Sequence, residues 1–418
     1  DGSAWGQQQP ASRDVGYPGY PQAETPQQLA SALEQFDAAK QLFRGDIRRW
    51  LFDHHDPALA ERVEQIEENY TQDPQAGLQK LRFLLDPTLP LRVGQHQVRG
   101  LADLLQLLTA NEPAINAELS RLLFSGSLSA WMDTLSGLKD RQTLLDKVAT
   151  ISEKLRYKNA DLALFALRCT LDPRQPLPLI RDINLQHPGE IETVLRRAPQ
   201  AKKALAERVM EGYFEQWLRA AQFPGWEEDV SFIRSCRIVY AHQHALLTRA
   251  VRWRFQPEQA FPFGGQSTSD PRELAMMIDR DERSRQQGLK LLVGGWIRAW
   301  LVATGRLTNP DALDQVLWSS QSSQESKLES VLQLMAPDLP KPQLAVKFST
   351  INFGSLDPEQ ARSKTIVVRN SGRGHLSGDL RLHDYDRGFS IDNNDIDGND
   401  TLIRVTATSL GMPEDSRQ

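Results

Sequence analysis

Apolar positions along this chain fall on helical spacings, and one arrangement of them returns four times. Gly45-Asp46-Ile47-Arg48-Arg49-Trp50-Leu51 is answered by Gly126-Ser127-Leu128-Ser129-Ala130-Trp131-Met132, Gly212-Tyr213-Phe214-Glu215-Gln216-Trp217-Leu218 and Gly295-Trp296-Ile297-Arg298-Ala299-Trp300-Leu301. Successive glycines lie 81, 86 and 83 residues apart, and each tryptophan follows its glycine by five. Counted from Phe43, Phe124, Met210 and Val293, apolar side chains stand at i, i+4, i+7 and i+8 in every copy. That is one face of an α-helix and fits no strand. The tryptophans are therefore expected in a core and not at a ligand. The glycine has two readings. It is a left-handed residue that ends one helix before a shorter one, or it sits inside one helix where the missing Cβ lets a neighbour approach.

A second anchor closes each unit. It reads Leu85-Asp86-Pro87-Thr88-Leu89-Pro90, Leu171-Asp172-Pro173-Arg174-Gln175-Pro176, Phe255-Gln256-Pro257 running on to Phe261-Pro262, and Met335-Ala336-Pro337-Asp338-Leu339-Pro340. The residue before a proline is driven out of the helical region, so each anchor predicts a helix end followed by an extended connection. Stripes such as Leu29, Leu33 and Phe36, or Leu144, Val148 and Ile151, fill the intervals and predict three to five helices per unit.

After Pro342 the period drops to two. Leu344, Val346 and Phe348 alternate with Ala345, Lys347 and Ser349, and further strand patterns occupy 365–372, 378–382, 389–391 and 402–406. About five strands are predicted where an immunoglobulin-like sandwich needs about seven. The module is thus expected to be truncated, with an unpaired edge near Leu402–Thr406.

The predicted fold class is mainly α: a four-unit α-helical repeat array followed by a small, truncated immunoglobulin-like β-sandwich. Residues 1–25, rich in Gln, Gly and Pro, read as a flexible linker to something upstream. Helical repeats are placed at 26–92, 93–180, 181–263 and 264–342, and the β module at 343–418. Stacked units of this kind bury a shared core.

The glycine, Trp-Leu and Leu-Asp-Pro-x-x-Pro anchors resemble tandem repeats of large bacterial multidomain proteins, regions that accompany serine/threonine kinases or DnaK-type chaperones. Ile351-Asn352-Phe353-Gly354, Val367-Val368-Arg369-Asn370-Ser371-Gly372 and Phe389-Ser390-Ile391 resemble immunoglobulin-like domains of the major-sperm-protein and abnormal-spindle type. The third unit departs most, with Phe255-Gln256-Pro257 in place of Leu-Asp-Pro. The resemblance implies a regulatory or recognition region, with any ATP-using domain outside this chain.

Composition adds exclusions. The 418 residues carry 49 Lys and Arg against 54 Asp and Glu, a net charge of −5, which argues against a basic nucleic-acid footprint. Two cysteines, Cys169 and Cys236, make neither a disulfide framework nor a four-cysteine zinc site. They read as buried small hydrophobes. No apolar run reaches the length of a membrane span, so the chain is expected to be cytoplasmic.

Candidate chemistry is sparse. Gly372-Arg373-Gly374 is too short for a phosphate loop, and no Walker or kinase signature occurs. Asn393–Asp400 resembles a calcium loop until its twelfth position, where Arg404 replaces the required glutamate. His54-His55 and His242 with His244 lack the i, i+4 spacing of helical metal ligands. Arg249, Arg252, Trp253, Arg254 and Phe255 form the one basic-aromatic cluster, which could stack on single-stranded nucleic acid or pack one face and solvate the other. No catalytic residue, cofactor or metal is assigned. The residues singled out are structural anchors: Gly45, Trp50, Pro87, Gly126, Trp131, Pro173, Gly212, Trp217, Pro257, Gly295, Trp300 and Pro337. The expected function is a non-catalytic scaffold that recognises a protein partner or a linked domain. Its rivals are an enzyme with an unpatterned site on the repeat surface, and a nucleic-acid binder.

Overall fold

The computed structural model describes residue 17 and residues 22–33, 42–307, 309–320, 322–348, 350–357, 359–382 and 388–409. Phe36 and most of the 1–25 stretch lie outside them. Mainly helical, the chain has nineteen α-helices among the described residues and small antiparallel sheets, the largest near the C-terminus. It divides into two compact units, Asp1–His187 with Glu207–Arg234, and Pro188–Ala206 with Ser235–Gln418.

Both sequence anchors have a local structural meaning. Gly45, Gly126, Gly212 and Gly295 are all left-handed, with φ of 73°, 78°, 95° and 78°. Each N–H donates three residues back, to Leu42, Leu123, Val209 and Leu292, closing the segment before it. Each carbonyl then accepts the first bond of the next helix, from Arg49, Ala130, Gln216 and Ala299. Of the two readings, the left-handed one holds. Asp46–His54, Ser127–Thr134, Tyr213–Ala221 and Trp296–Thr304 are the short helices so begun. Their tryptophans Trp50, Trp131, Trp217 and Trp300 are at most 4% exposed.

The proline anchor is a helix stop joined to a β-turn. Helices end at Leu85, Leu171, Phe255 and Met335, and the pre-proline residues Asp86, Asp172, Gln256 and Ala336 leave the helical region. Their carbonyls accept from Leu89, Gln175, Gln259 and Leu339, placing each proline second in a four-residue turn. Where the first residue is aspartate, its carboxylate also accepts from Thr88 or Arg174 N–H. Gln256 and Ala336 lack that carboxylate and make the same backbone turn.

Beyond the first three turns the chain forms hairpins, where only an extended connection was expected. Leu91–Val93 pairs with His96–Val98, Leu177–Ile180 with Ile183–Leu185, and Phe261–Phe263 with Gln266–Thr268. The boundaries drawn at 92/93, 180/181 and 263/264 fall inside these hairpins. Five α-helices occupy each interval between successive anchor prolines from Pro87 onward, the upper end of the expected number.

In the first unit one core gathers Trp131 with Leu91, Val93, Val98 and the helices around them. Another holds Trp50 and Ile47 and includes Tyr17 and Ala23. These last two residues belong to the stretch read as a linker, yet both are buried. The physical reason at Tyr17 is its ring, which lies edge-on to Trp50 at 5.7 Å.

In the second unit the C-terminal sheet runs in the order Phe389–Ile391, Asp400–Thr408, Ala361–Asn370, Leu344–Val346, all antiparallel. The unpaired edge expected near Leu402–Thr406 does not hold for the whole segment: Asp400–Thr408 pairs with Ala361–Asn370 along its length, and Val405–Ala407 pairs on the other side with Phe389–Ile391. Ile396, within the calcium-loop-like stretch Asn393–Asp400, sits in a short strand paired to Ser377–Asp379 and is buried with Val368, Leu376 and Ile403. The turn Gly372-Arg373-Gly374 reaches the helices instead. Arg373 pairs with Asp279 at 2.6 Å and Glu329 at 3.0 Å, and Arg285 pairs with the same two carboxylates. Gly374 is left-handed, with φ of 80°, and a Cβ there would also press on the Glu329 carboxylate, so the turn favours glycine.

Candidate functional site

The basic-aromatic cluster read from sequence forms one wall of a cleft of about 420 Å³ in the second unit. Helix His244–Phe255 supplies Thr248, Arg249, Arg252 and Trp253. The spacing 249, 252 and 253 puts these three on one side of the helix. Thr248 turns its hydroxyl back onto its own helix, donating to the His244 carbonyl at 2.9 Å. Arg254 and Phe255 do not line the cleft. Lys202 and Lys203, in the first turn of helix Ala201–Glu211, are exposed and also line the cleft. Phe261 and Pro262 come from the hairpin, and Trp296 directly follows the left-handed Gly295.

Charge in this cleft is one-sided. Arg252 pairs with Glu192, which also accepts from Gln259 at 2.9 Å. Burial opposes ionisation of Glu192, yet the bonds from Gln259 and Arg252 hold its carboxyl below the ordinary range. Arg249 has no carboxylate within ion-pairing distance among the described residues; its guanidinium lies over the Trp253 ring at 5.1 Å. Burial, and then repulsion from Arg252, lower its pKa. Trp253 stacks on Phe261 at 5.7 Å, and Phe261 meets Trp300 at 5.3 Å, so the cleft floor is continuous with the core. Two buried donors of this wall, Arg252 Nε and Trp253 Nε1, have no hydrogen-bond partner.

A cleft of about 900 Å³ in the first unit is built from the corresponding chain positions. Lys202 and Lys203 stand ten and nine residues before Gly212, where Asn116 and Ala117 stand before Gly126. Arg249 stands eight residues before Pro257, as Phe165 does before Pro173, and Arg252 matches Arg168. Pro262 matches Pro178, and Trp296 matches Tyr213. The chemistry differs. Arg168 lies over Phe165 at 5.4 Å, Arg208 over Tyr213 at 4.7 Å, and the two rings meet edge-on at 5.1 Å. Asp161 adds a carboxylate to this cleft.

The twelve anchors read from sequence do not converge on either cleft; they shape the backbone around them. Sequence reading identified Arg249, Arg252 and Trp253 but missed Lys202, Lys203 and Trp296. The available signal was their place in the repeat: each stands at a fixed distance from an anchor glycine. Cys169 and Cys236 are buried, and burial pushes both thiols up to about 12, which suits packing and not nucleophilic chemistry. Asp397, from the calcium-like loop, instead accepts from Ser323 at 2.8 Å and lies 2.6 Å from His375 Nε2. Among the described residues no helix is long and apolar enough to cross a membrane. No protein-family model, curated protein or solved structure matches the chain.

Proposed function

We propose that this chain is a non-catalytic protein-recognition region: four α-helical repeat units followed by an immunoglobulin-like module, regulatory within a larger bacterial signalling or chaperone-type protein. The observation that carries this reading is the pair of corresponding clefts. Each is framed by the same left-handed glycine, proline turn and hairpin, and each presents different side chains at matching positions. Repeat arrays use such surfaces to bind partners, because a fixed frame lets the lining vary from unit to unit. The partner is a protein or a linked domain of the same polypeptide.

The purified chain is expected to show no turnover of ATP, ester or peptide substrates. Hydrolysis that co-purifies through successive columns and is abolished by a substitution in either cleft would replace this reading with an enzymatic one.

A further inference from the structure

Three other clefts carry a carboxylate in their walls, Asp161 in one and Asp133 in both of those beside Tyr70. The cleft at Arg249 carries none among the described residues, while Lys202, Lys203, Arg249 and Arg252 all contribute to its walls. Arg252 is matched by Glu192, and Arg249 rests on a ring instead of a carboxylate. We propose that this cleft binds an acidic peptide segment of a partner protein, one that carries an aromatic side chain beside its carboxylates. The inference rests on the protein-recognition reading and specifies its ligand.

Three features converge on that chemistry. Positive charge is graded with depth: Lys202 is exposed at the mouth, where it steers an acidic segment. Arg249 is half-buried farther in, where lower effective dielectric strengthens its pull on a carboxylate. The floor is aromatic. Trp253 and Phe261 are stacked and almost fully buried, and the half-buried Trp296 is the ring left open to an incoming aromatic side chain. The rest of the lining is largely apolar, with Ala245, Pro262 and Leu291, which suits an apolar side chain beside the carboxylates. Nucleic acid fits less well. A polyanion must approach a protein of net charge −5 over a long path, whereas a short acidic segment addresses the cleft alone.

The test uses the whole chain and fluorescein-labelled octapeptides. One alternates glutamate with phenylalanine, a second replaces each glutamate by lysine, a third replaces each phenylalanine by serine, and oligothymidylate is the nucleic-acid probe. The glutamate–phenylalanine peptide is expected to bind saturably at low salt and to weaken as salt screens the cleft. Arg249→Gln should weaken it about tenfold and the exposed Lys202→Gln about threefold, with thermal melts of both variants matching wild type. No saturable binding of that peptide, or binding indifferent to both substitutions, overturns the proposal. If the lysine or serine peptide binds more tightly through an Arg249-sensitive site, the acidic-aromatic assignment falls and protein recognition stands. If oligothymidylate binds most tightly, with steep salt dependence lost in Arg249→Gln, both fall.

Discussion

The clefts at Phe165 and at Arg249 share a backbone plan and differ in charge. Each is walled by the helix that runs into a proline turn, by the first strand of a hairpin, and by the residue directly after a left-handed glycine. Corresponding arginines even behave differently. Arg168 rests on the Phe165 ring, whereas Arg252 is drawn into an ion pair with Glu192. The comparison separates two sets of residues. The anchor glycines, tryptophans and prolines shape the backbone around the clefts without lining them, and the lining positions between them differ in chemistry. A change in one set therefore leaves the other largely intact, and substitutions in each set can break that separation.

Removing the frame should cost most, and equally in both places. Trp217→Ala and Trp300→Ala each delete a fully buried aromatic side chain, so each should cost about 3–5 kcal/mol in urea melts. A loss within about 0.5 kcal/mol of wild type at either position would remove that tryptophan from the core. A milder change separates the two. Trp217 Nε1 donates to the Gln175 carbonyl at 3.0 Å, whereas Trp300 Nε1 is buried with no partner. Replacing tryptophan by phenylalanine should therefore cost about 1 kcal/mol more at 217 than at 300. Equal costs would mean that the hydrogen bond adds nothing net.

The glycines come next. Gly212→Ala and Gly295→Ala force a Cβ into left-handed backbone, at about 1–2 kcal/mol each. At Gly295 the new Cβ also meets Leu246 Cδ2 at 3.2 Å, which adds a packing cost to the backbone strain. Thermal melts giving both variants wild-type stability would show that the left-handed joint is replaceable.

How much of this was legible in sequence depends on where the information is local. The helix stops at Leu85, Leu171, Phe255 and Met335 were readable because a proline constrains the residue before it, whatever the rest of the chain does. The buried tryptophans were readable because i, i+4, i+7, i+8 spacing leaves one face. The hairpins were not, since strands of three or four residues such as Leu91–Val93 are too short to show a period. Nor was the order of the C-terminal strands. Asp400–Thr408 reads as a final strand, and only its pairing with the distant Ala361–Asn370 places it inside the sheet. The Arg249 cleft was half legible for the same reason. Arg249, Arg252 and Trp253 are neighbours on one helix, while Lys202 and Trp296 reach them only through tertiary packing.

The smallest effect is expected from the ion pair that distinguishes the clefts. Glu192 is more costly to ionise for being partly buried, but bonds from Gln259 and Arg252 outweigh that and leave its carboxyl below the ordinary range. A carboxyl whose folded pKa is depressed contributes fully above its unfolded pKa, about 4.3, and loses that contribution as pH falls through the folded value. Glu192→Gln should accordingly be less stable than wild type at pH 7, and the difference should shrink as pH is lowered below about 4. Arg252→Gln should take the same course, because it removes the other half of the pair. Arg168→Gln, at the corresponding place in the Phe165 cleft, loses a ring contact and no carboxylate partner, so its difference from wild type should stay flat over this range. Urea melts of the three variants between pH 7 and about pH 3 make the comparison. If the Glu192→Gln difference persisted unchanged to the acid end, the pair would contribute through packing alone and the clefts would not differ in their electrostatics at this position.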